Sequence, residues 1–421
     1  MQPIFTEFIN FMKDKGYDVP ITEGTYWLDN GFIKAYTPDG VLHKLYKYKV
    51  FDDLSISVTK YKEYIDADFE TWTETAERLS DDVNCKVEES LKAIKHTMGI
   101  FKDMDTWVLT STGKDSMVVL DLVQKIIPDV KVMFNNTSLD VADTYKMVKR
   151  HPEWVITNPK IGFYKWVKQQ MFIPTRFSRA CCGIFKEGAS ITYFKEHNAD
   201  RLLQFMGVRN EESNARSDRK FIERNPKWNN PNWISCLPIR KWSELDVWLY
   251  TIRENLEINP RYRKGFRRVG CANACCYANK GTWVLDKYWY PNLYERWHEI
   301  VKEVFLDSHR WSQLNCTLAE YHSCWNGGLY RPEPTDEVVD EMMSYMGITE
   351  RETAMKYFNR TCRICDKNVR RPDDLGMNLK MFGRTAGDIL CKKHLKEQLG
   401  LSEDEYQAKV AEFKQDGCVL F

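Results

Sequence analysis

The stretch from Trp107 to Leu120, WVLTSTGKDSMVVL, constrains this chain more than any other. Trp107, Val108 and Leu109 read as a buried strand, and the run from Met117 to Ile127 is apolar at helical spacing, with Asp121 and Lys125 between. Ser111, Thr112, Gly113, Lys114, Asp115 and Ser116 form the tight polar turn that joins them. Gly113 is expected to take backbone angles that a side chain forbids, so that successive N–H groups point at one centre. The helix that follows aims its first unbonded N–H groups at the same place. Lys114 adds a full positive charge there, and the hydroxyls of Ser111, Thr112 and Ser116 add donors. A turn of this make-up cradles phosphate. The second Gly of the Walker pattern, with its spacing, is absent.

A second strand, Val130 to Phe134, ends in Asn135-Asn136-Thr137-Ser138, and Asp140 or Asp143 is placed to cap the helix after it. A third, Leu202 to Met206, runs into Gly207-Val208-Arg209-Asn210-Glu211-Glu212-Ser213. Gly207 permits that turn, Arg209 can meet an anion through paired bonds, and Ser213 can donate to one. Strand and helix signals alternate, which predicts a doubly wound, mostly parallel α/β sheet with ligands at the C-terminal strand ends. Helices are expected over Phe163 to Met171 and after Ser243 as N-cap, with Asp246 in the first turn.

Residues 1–100 read as a small accessory region. It has an amphipathic segment from Phe5 to Met12, two strands about Pro38-Asp39-Gly40, and a helix over Tyr61 to Lys102 interrupted around Ser80 to Asn84. Residues 101–330 hold the phosphate-cradle loop and the alternating strands and helices. Residues 331–421 form a separate C-terminal module, helical over Glu337 to Tyr345 and Arg351 to Phe358. That module carries Cys362, Cys365, Cys391 and His394 as C-x2-C-x25-C-x2-H, two close pairs of the kind that hold structural zinc. Lys367, Arg370, Arg371, Lys380 and Arg384 lie between the pairs, as a solvated basic face or as contacts to phosphates or a partner protein.

A length of 421 residues allows one to three domains, and a net charge of +1 leaves any basic surface local. There is no basic segment followed by a long apolar run at the start, and no apolar run long enough to span a bilayer, so a cytoplasmic chain without membrane contact is expected. Its 13 cysteines are then thiols or metal ligands rather than a disulfide scaffold.

From Met104 to Ala278 the order of motifs resembles the phosphoadenosine phosphosulfate (PAPS) reductase family of the PP-loop adenine nucleotide α-hydrolase superfamily. The resemblance rests on Ser111 to Ser116, on Asn136-Thr137-Ser138 with Asp143-Thr144-Tyr145, and on Pro174 to Lys186. It continues through Gly207 to Arg216 and through Pro238-Ile239 with Trp242-Ser243 and Asp246-Val247-Trp248. Thr112 stands where the family has Gly, and Asn136 where it often has Asp. The resemblance implies an adenine nucleotide, ATP or a phosphosulfate, held by Ser111, Thr112, Gly113, Lys114, Asp115, Ser116, Asn136, Thr137, Arg176, Arg179, Lys186, Gly207, Arg209, Ser213 and Arg216. Lys114, Asp115 and Arg209 would sit at the reacting centre. It also implies a [4Fe–4S] cluster on Cys181, Cys182, Cys271 and either Cys275 or Cys276, since a cube needs four thiolates. The second pair is spaced more widely than usual, and zinc suits the same ligands.

Two activities fit the resemblance. One is an ATP pyrophosphatase and sulfurtransferase, similar to the enzyme of DNA phosphorothioation, with Mg²⁺ offsetting the triphosphate charge. The other is reduction of an adenylyl sulfate by a tail cysteine; Cys418 lies at that place without the family's following Gly and His. A nucleotide-sensing or DNA-tethered accessory protein is the reading without turnover. Partners implied are DNA or another nucleic acid, and a sulfur donor protein.

Overall fold

A computed structural model describes residues 1–421 apart from 52, 62–67, 176–178, 225–229, 273–281, 309, 323–330, 332, 359–360, 370, 383–388, 417 and 419–421. The chain divides into two compact units. The first holds residues 1–160, 182–272 and 281–291, and the second holds 161–181, 273–280 and 292–421. The sequence boundaries at residues 100 and 330 do not coincide with the borders of these units.

The first unit contains two sheets. β1 (Gln2–Pro3), β2 (Trp27–Asp29), β3 (Phe32–Tyr36), β4 (Leu42–Val50) and β5 (Ile56–Lys60) pair in that order, all antiparallel. The second sheet is built from β6 (Asp105–Thr110), β7 (Lys131–Asn135), β8 (Val155–Thr157), β9 (Leu202–Met206), β10 (Ile222–Arg224) and β11 (Trp233–Cys236). Its order is β10-β11-β9-β6-β7-β8, and every pairing is parallel except that of β10 with β11.

Side chains on a strand alternate between faces, so neighbouring residues of β6, β7, β9 and β11 enter different cores. Val108, Val132, Phe134, Leu203, Phe205 and Ile234 join one cluster with Val118, Leu122, Val247 and Trp248 of the helices Lys114–Gln124 and Glu244–Arg253. Trp107, Met133, Leu202 and Trp233 join the other with Phe194 of the helix Gly188–Glu196. Both faces are therefore covered, which is the doubly wound α/β arrangement expected. The chain leaves β6 toward β7 and β8, then returns to place β9 on the other side of β6. The strand order reverses at β6, and ligands of open α/β sheets bind beyond the strand ends at such a point.

The antiparallel sheet is not separate from this core. Phe5, Trp27 and Trp72 pack in the same cluster as Trp248 and Tyr262. Of the helix expected from Tyr61, residues 62–67 lie outside the described residues, and the described helix begins at Trp72, where Thr71 and Glu74 form a capping box. Its break is a single residue, Leu79, and Ser80 to Asn84 are helical within Ser80–Ile100. Ser243 caps the helix Glu244–Arg253 as its sequence predicted, in a box with Asp246.

In the second unit the helix Phe163–Gln170 packs on Pro291–Asp307 through Phe163, Tyr164 and Trp297. Helices Asp336–Met346 and Arg351–Phe358 follow as predicted. A distinct cluster of Cys362, Val369, Leu375, Met377, Leu379, Ile389, Leu390, Leu395, Tyr406 and Val410 forms beyond them. No described helix is long and apolar enough to cross a membrane.

Candidate nucleotide site and metal-ligand cluster

The loop after β6 has its strain at an unexpected residue. Gly113 is extended, with φ −77° and ψ 151°, and serves as N-cap of Lys114–Gln124. The left-handed residue is Thr112, with φ 58°. A β-branched side chain there costs on the order of 1–3 kcal/mol unless the surroundings hold it. They do. Thr112 is fully buried, its hydroxyl donates to the Ser111 carbonyl at 2.6 Å, and it accepts from Asn259 Nδ2 at 2.8 Å. The same amide donates to Thr144 Oγ1 at 3.1 Å, while Asn259 Oδ1 accepts from the Arg261 N–H at 3.0 Å as the cap of Pro260–Arg263. Tyr262 then reaches back, and its hydroxyl accepts the Lys114 N–H at 3.1 Å. Asn259 and Tyr262 thus fasten the loop from a segment almost 150 residues away. Sequence reasoning missed both. Asn-Pro signals a helix start but not what the Asn side chain grips.

Replacing Asn259 by Ala deletes the cap and leaves buried Thr112 and Thr144 hydroxyls without this donor. Unfolding free energy should fall by roughly 2–3 kcal/mol. Urea midpoints read this directly, and an unchanged midpoint would mean that the loop holds Thr112 without Asn259.

The hydroxyls are largely spent inside the loop, contrary to the expectation that all three serve a ligand. Ser116 Oγ donates to the Gly113 carbonyl at 2.9 Å and accepts the Ser111 N–H at 3.2 Å. Ser111 itself is exposed. Among the described residues no acceptor is bonded to the N–H groups of Gly113 and Asp115, which leaves the anion-binding end of the helix available. Gly207 matters for approach rather than for a turn angle. A Cβ on it would lie 2.5–2.7 Å from the Asp115–Ser116 peptide.

The charges of the site are already paired. The Lys114 side chain is 5% exposed and its ammonium lies 3.0 Å from Asp115 and 3.6 Å from Glu244. Arg209 meets Asp115 at 2.5 Å and also Glu211, and Arg267 meets Glu244 at 2.8 Å. Burial opposes the Lys114 ammonium, but Tyr262, Asp115 and Glu244 outweigh it and raise its pKa. Burial likewise opposes the Asp115 carboxylate, and Lys114 and Arg209 hold it below the usual range. For Glu244, Lys114, the amino group of Met1 and Arg267 overcome burial and take the carboxyl from 4.5 down to about 2. Glu211, Glu244 and Arg267 escaped sequence reasoning because their pairing depends on the fold.

The second loop is held by its own side chains. Asn136 Oδ1 accepts the Ser138 N–H at 2.8 Å and the Tyr145 hydroxyl at 2.7 Å, and Thr137 Oγ1 donates to Asp140 at 2.8 Å. Neither acid caps the next helix. Val141 is the N-cap of Ala142–Val148, Asp140 is used by Thr137, and Asp143 pairs with Lys264 at 2.6 Å. Burial pushes the Asp140 carboxyl up against the two Thr137 bonds.

Two cysteine-bearing turns are tied to this loop. Cys182 opens the π-helix Cys182–Glu187, whose Lys186 carbonyl accepts Asn135 Nδ2 at 2.7 Å. Such wide turns recur at functional sites. Cys271 precedes Ala272, whose N–H bonds the Leu139 carbonyl at 2.8 Å. Cys182 and Cys271 are half-buried and Cys181 is buried. Arg176, Cys275 and Cys276 lie outside the described residues, as do Arg370 and Arg384 of the basic set. Arg179, Lys186 and Ser213 are exposed, and Arg216 pairs with Glu212. Among the described residues one cluster of metal-ligating side chains forms: Cys362, Cys365, Cys391 and His394, with ligand atoms all within 4.8 Å. A cavity of about 580 Å³ opens elsewhere, between Phe101 and Ile222, Arg224 and Ile234 at the β10–β11 edge.

Residues 105–276 match the family model of the phosphoadenosine phosphosulfate reductase domain. Two uncharacterized Methanocaldococcus jannaschii proteins are similar to the chain. One is 36% identical over 201 residues, 47% of this chain and 41% of that one. The other is 28% identical over 271 residues, 60% of this chain and 63% of that one, so the match spans less than two thirds of either relative. An adenosine 5'-phosphosulfate reductase of Bacillus cereus is 25% identical over 232 residues, 52% of this chain and 93% of that protein. Among solved structures, a PAPS reductase from Candida auris has 19% identity and a TM-score of 0.35, covering 47% of this chain and 94% of that one. A U34-tRNA thiolase from Methanococcus maripaludis with its [4Fe-4S] cluster has 16% identity and a TM-score of 0.33, covering 52% of this chain and 79% of that one.

Proposed function

We propose, on the premise that residues 105–276 are a phosphoadenosine phosphosulfate reductase domain, that the loop after β6 binds ATP with Mg²⁺ and acts as an ATP pyrophosphatase and sulfurtransferase. The observation that carries this reading is the charge pairing around Lys114. Four cations, Lys114, Arg209, Arg267 and the amino group of Met1, face three carboxylates, Asp115, Glu211 and Glu244. A phosphosulfate arriving alone would meet cations already engaged by carboxylates, two of them at the loop lysine. A triphosphate arriving with a divalent cation suits the same set, because oxygen ligands for a hard cation stand beside donors for phosphate. When bound, Mg²⁺ offsets the triphosphate charge.

The chain's own residues then have defined tasks. The Gly113 and Asp115 N–H groups and the helix end hold phosphate oxygens. Lys114 and Arg209, drawn from their carboxylates, neutralise charge that builds on the α-phosphoryl group and the leaving pyrophosphate. An acceptor nucleophile attacks the α-phosphorus, and the bond to the bridging oxygen breaks with its electron pair leaving on pyrophosphate. DNA or another nucleic acid is the acceptor class proposed, with sulfur brought by a donor protein. A [4Fe–4S] cluster on Cys181, Cys182, Cys271 and Cys275 or Cys276 is part of this reading on residue chemistry alone, four thiolates being what such a cube takes. Iron and sulfide missing from anaerobically purified protein would remove the cluster. The activity is tested by incubating the pure chain with ATP, Mg²⁺ and candidate acceptors. Pyrophosphate release above a Lys114→Ala control is expected, and no release above that control would overturn the assignment.

A further inference from the structure

We infer that Cys362, Cys365, Cys391 and His394 bind a single Zn²⁺ ion, with His394 ligating through Nδ1, and that this ion holds the C-terminal module together. The distances decide the nuclearity. One zinc with bonds of about 2.3 Å to sulfur and about 2.0–2.1 Å to nitrogen sets tetrahedral edges of about 3.8 Å between sulfurs and about 3.5 Å from sulfur to nitrogen. The Cys365 and Cys391 sulfurs lie 3.8 Å apart. His394 Nδ1 lies 3.2 Å from the Cys362 sulfur and 3.4 Å from that of Cys391. An iron–sulfur cube spreads its thiolates over four metal atoms and farther apart than this. A disulfide needs about 2.05 Å, and all three cysteines are free.

The backbone is built for the same purpose. Residues 362–366 make a tight knuckle, in which the Asp366 N–H bonds the Cys362 carbonyl at 2.8 Å and the Cys362 N–H bonds the Lys367 carbonyl at 2.8 Å. Asp366 takes the left-handed conformation that turns the chain back, with φ 51°. The second pair lies at a helix start: Cys391 is the N-cap of Lys392–Leu399, and His394 follows one turn on. Two devices bring the pairs together. Cys362 bridges to Ile389, and buried Asn378 bonds both the N–H and the carbonyl of Leu390, at 2.8 and 2.9 Å. The local hydrophobic cluster is small for a segment of this length, and small cores commonly depend on a metal.

The site is separate from the proposed catalysis, and its test reads metal and folding rather than activity. The full-length chain, purified without chelator, is analysed for zinc and then exchanged with Co²⁺. One zinc per chain is expected, and Co²⁺ should show tetrahedral bands with thiolate-to-metal charge transfer. The double variant Cys362→Ser/Cys391→Ser should lose the zinc, while Cys182→Ser/Cys271→Ser should retain it. Hydrogen exchange on the chelated wild-type chain should show lost protection over residues 361–416, with β6, β7 and β9 unchanged. Absence of zinc together with failure to take up Co²⁺ would overturn the inference. So would retention of zinc in the first double variant, octahedral Co²⁺, or unchanged protection of the module after chelation.

Discussion

Gly207→Ala is expected to lower both stability and nucleotide affinity sharply, although it adds one methyl group. The new Cβ would stand 2.5–2.7 Å from the carbonyl carbon and oxygen of Asp115 and from the Ser116 nitrogen. Neither partner yields easily. Gly207 directly follows β9, which is paired on both sides by β6 and β11, and the peptide it meets lies in the first turn of Lys114–Gln124. Relief requires the helix start to move, at a cost of about 1–3 kcal/mol or more. The same movement turns the Asp115 N–H away from its target and separates Asp115 from Arg209. Gly99→Ala supplies a contrast of opposite sign. Its Cβ meets nothing within 4 Å, and it lies in the helix Ser80–Ile100. A gain of roughly 0.5–1 kcal/mol is expected there. Urea denaturation of both variants, with ATP titration, checks the pair. A Gly207→Ala protein as stable and as tight-binding as wild type would refute the close approach.

Lys114→Ala should cost roughly 10²–10³-fold in pyrophosphate release, the range found when one preorganised charge-stabilising donor is lost. The fold should survive, because each carboxylate that Lys114 faces keeps an arginine: Asp115 keeps Arg209, and Glu244 keeps Arg267. The variant therefore separates a catalytic loss from unfolding. Near-native circular dichroism with release reduced to background is the expected result. A folded variant with wild-type release would remove Lys114 from the reaction.

The strands, the sheet class, the loop and the Cys/His pairs were legible in the sequence because each depends on local patterns. Short, near-continuous apolar runs mark β6, β7 and β9, and a Ser243–Asp246 capping box marks a helix start wherever it is placed. The loop's inner workings were not legible. Gly113 was the natural candidate for a left-handed angle, yet Thr112 adopts it, because Asn259 supplies a buried hydrogen bond that no neighbouring residue reveals. Asp140 and Asp143 looked like helix caps; tertiary partners, Thr137 and Lys264, claim them instead. The neutralisation of Lys114 by Glu244 joins residues 130 positions apart, and only the fold can disclose it.

Calorimetric titration of the wild-type chain with ATP, with and without Mg²⁺, tests the central claim most directly. The charge pairing predicts binding that strengthens at least about tenfold, or about 1.4 kcal/mol, when Mg²⁺ is present. Asp115→Asn should remove that gain, and a phosphosulfate nucleotide should bind weakly without the metal. Equal affinity for ATP and phosphosulfate in the absence of divalent cation, unaltered by Asp115→Asn, would contradict the account.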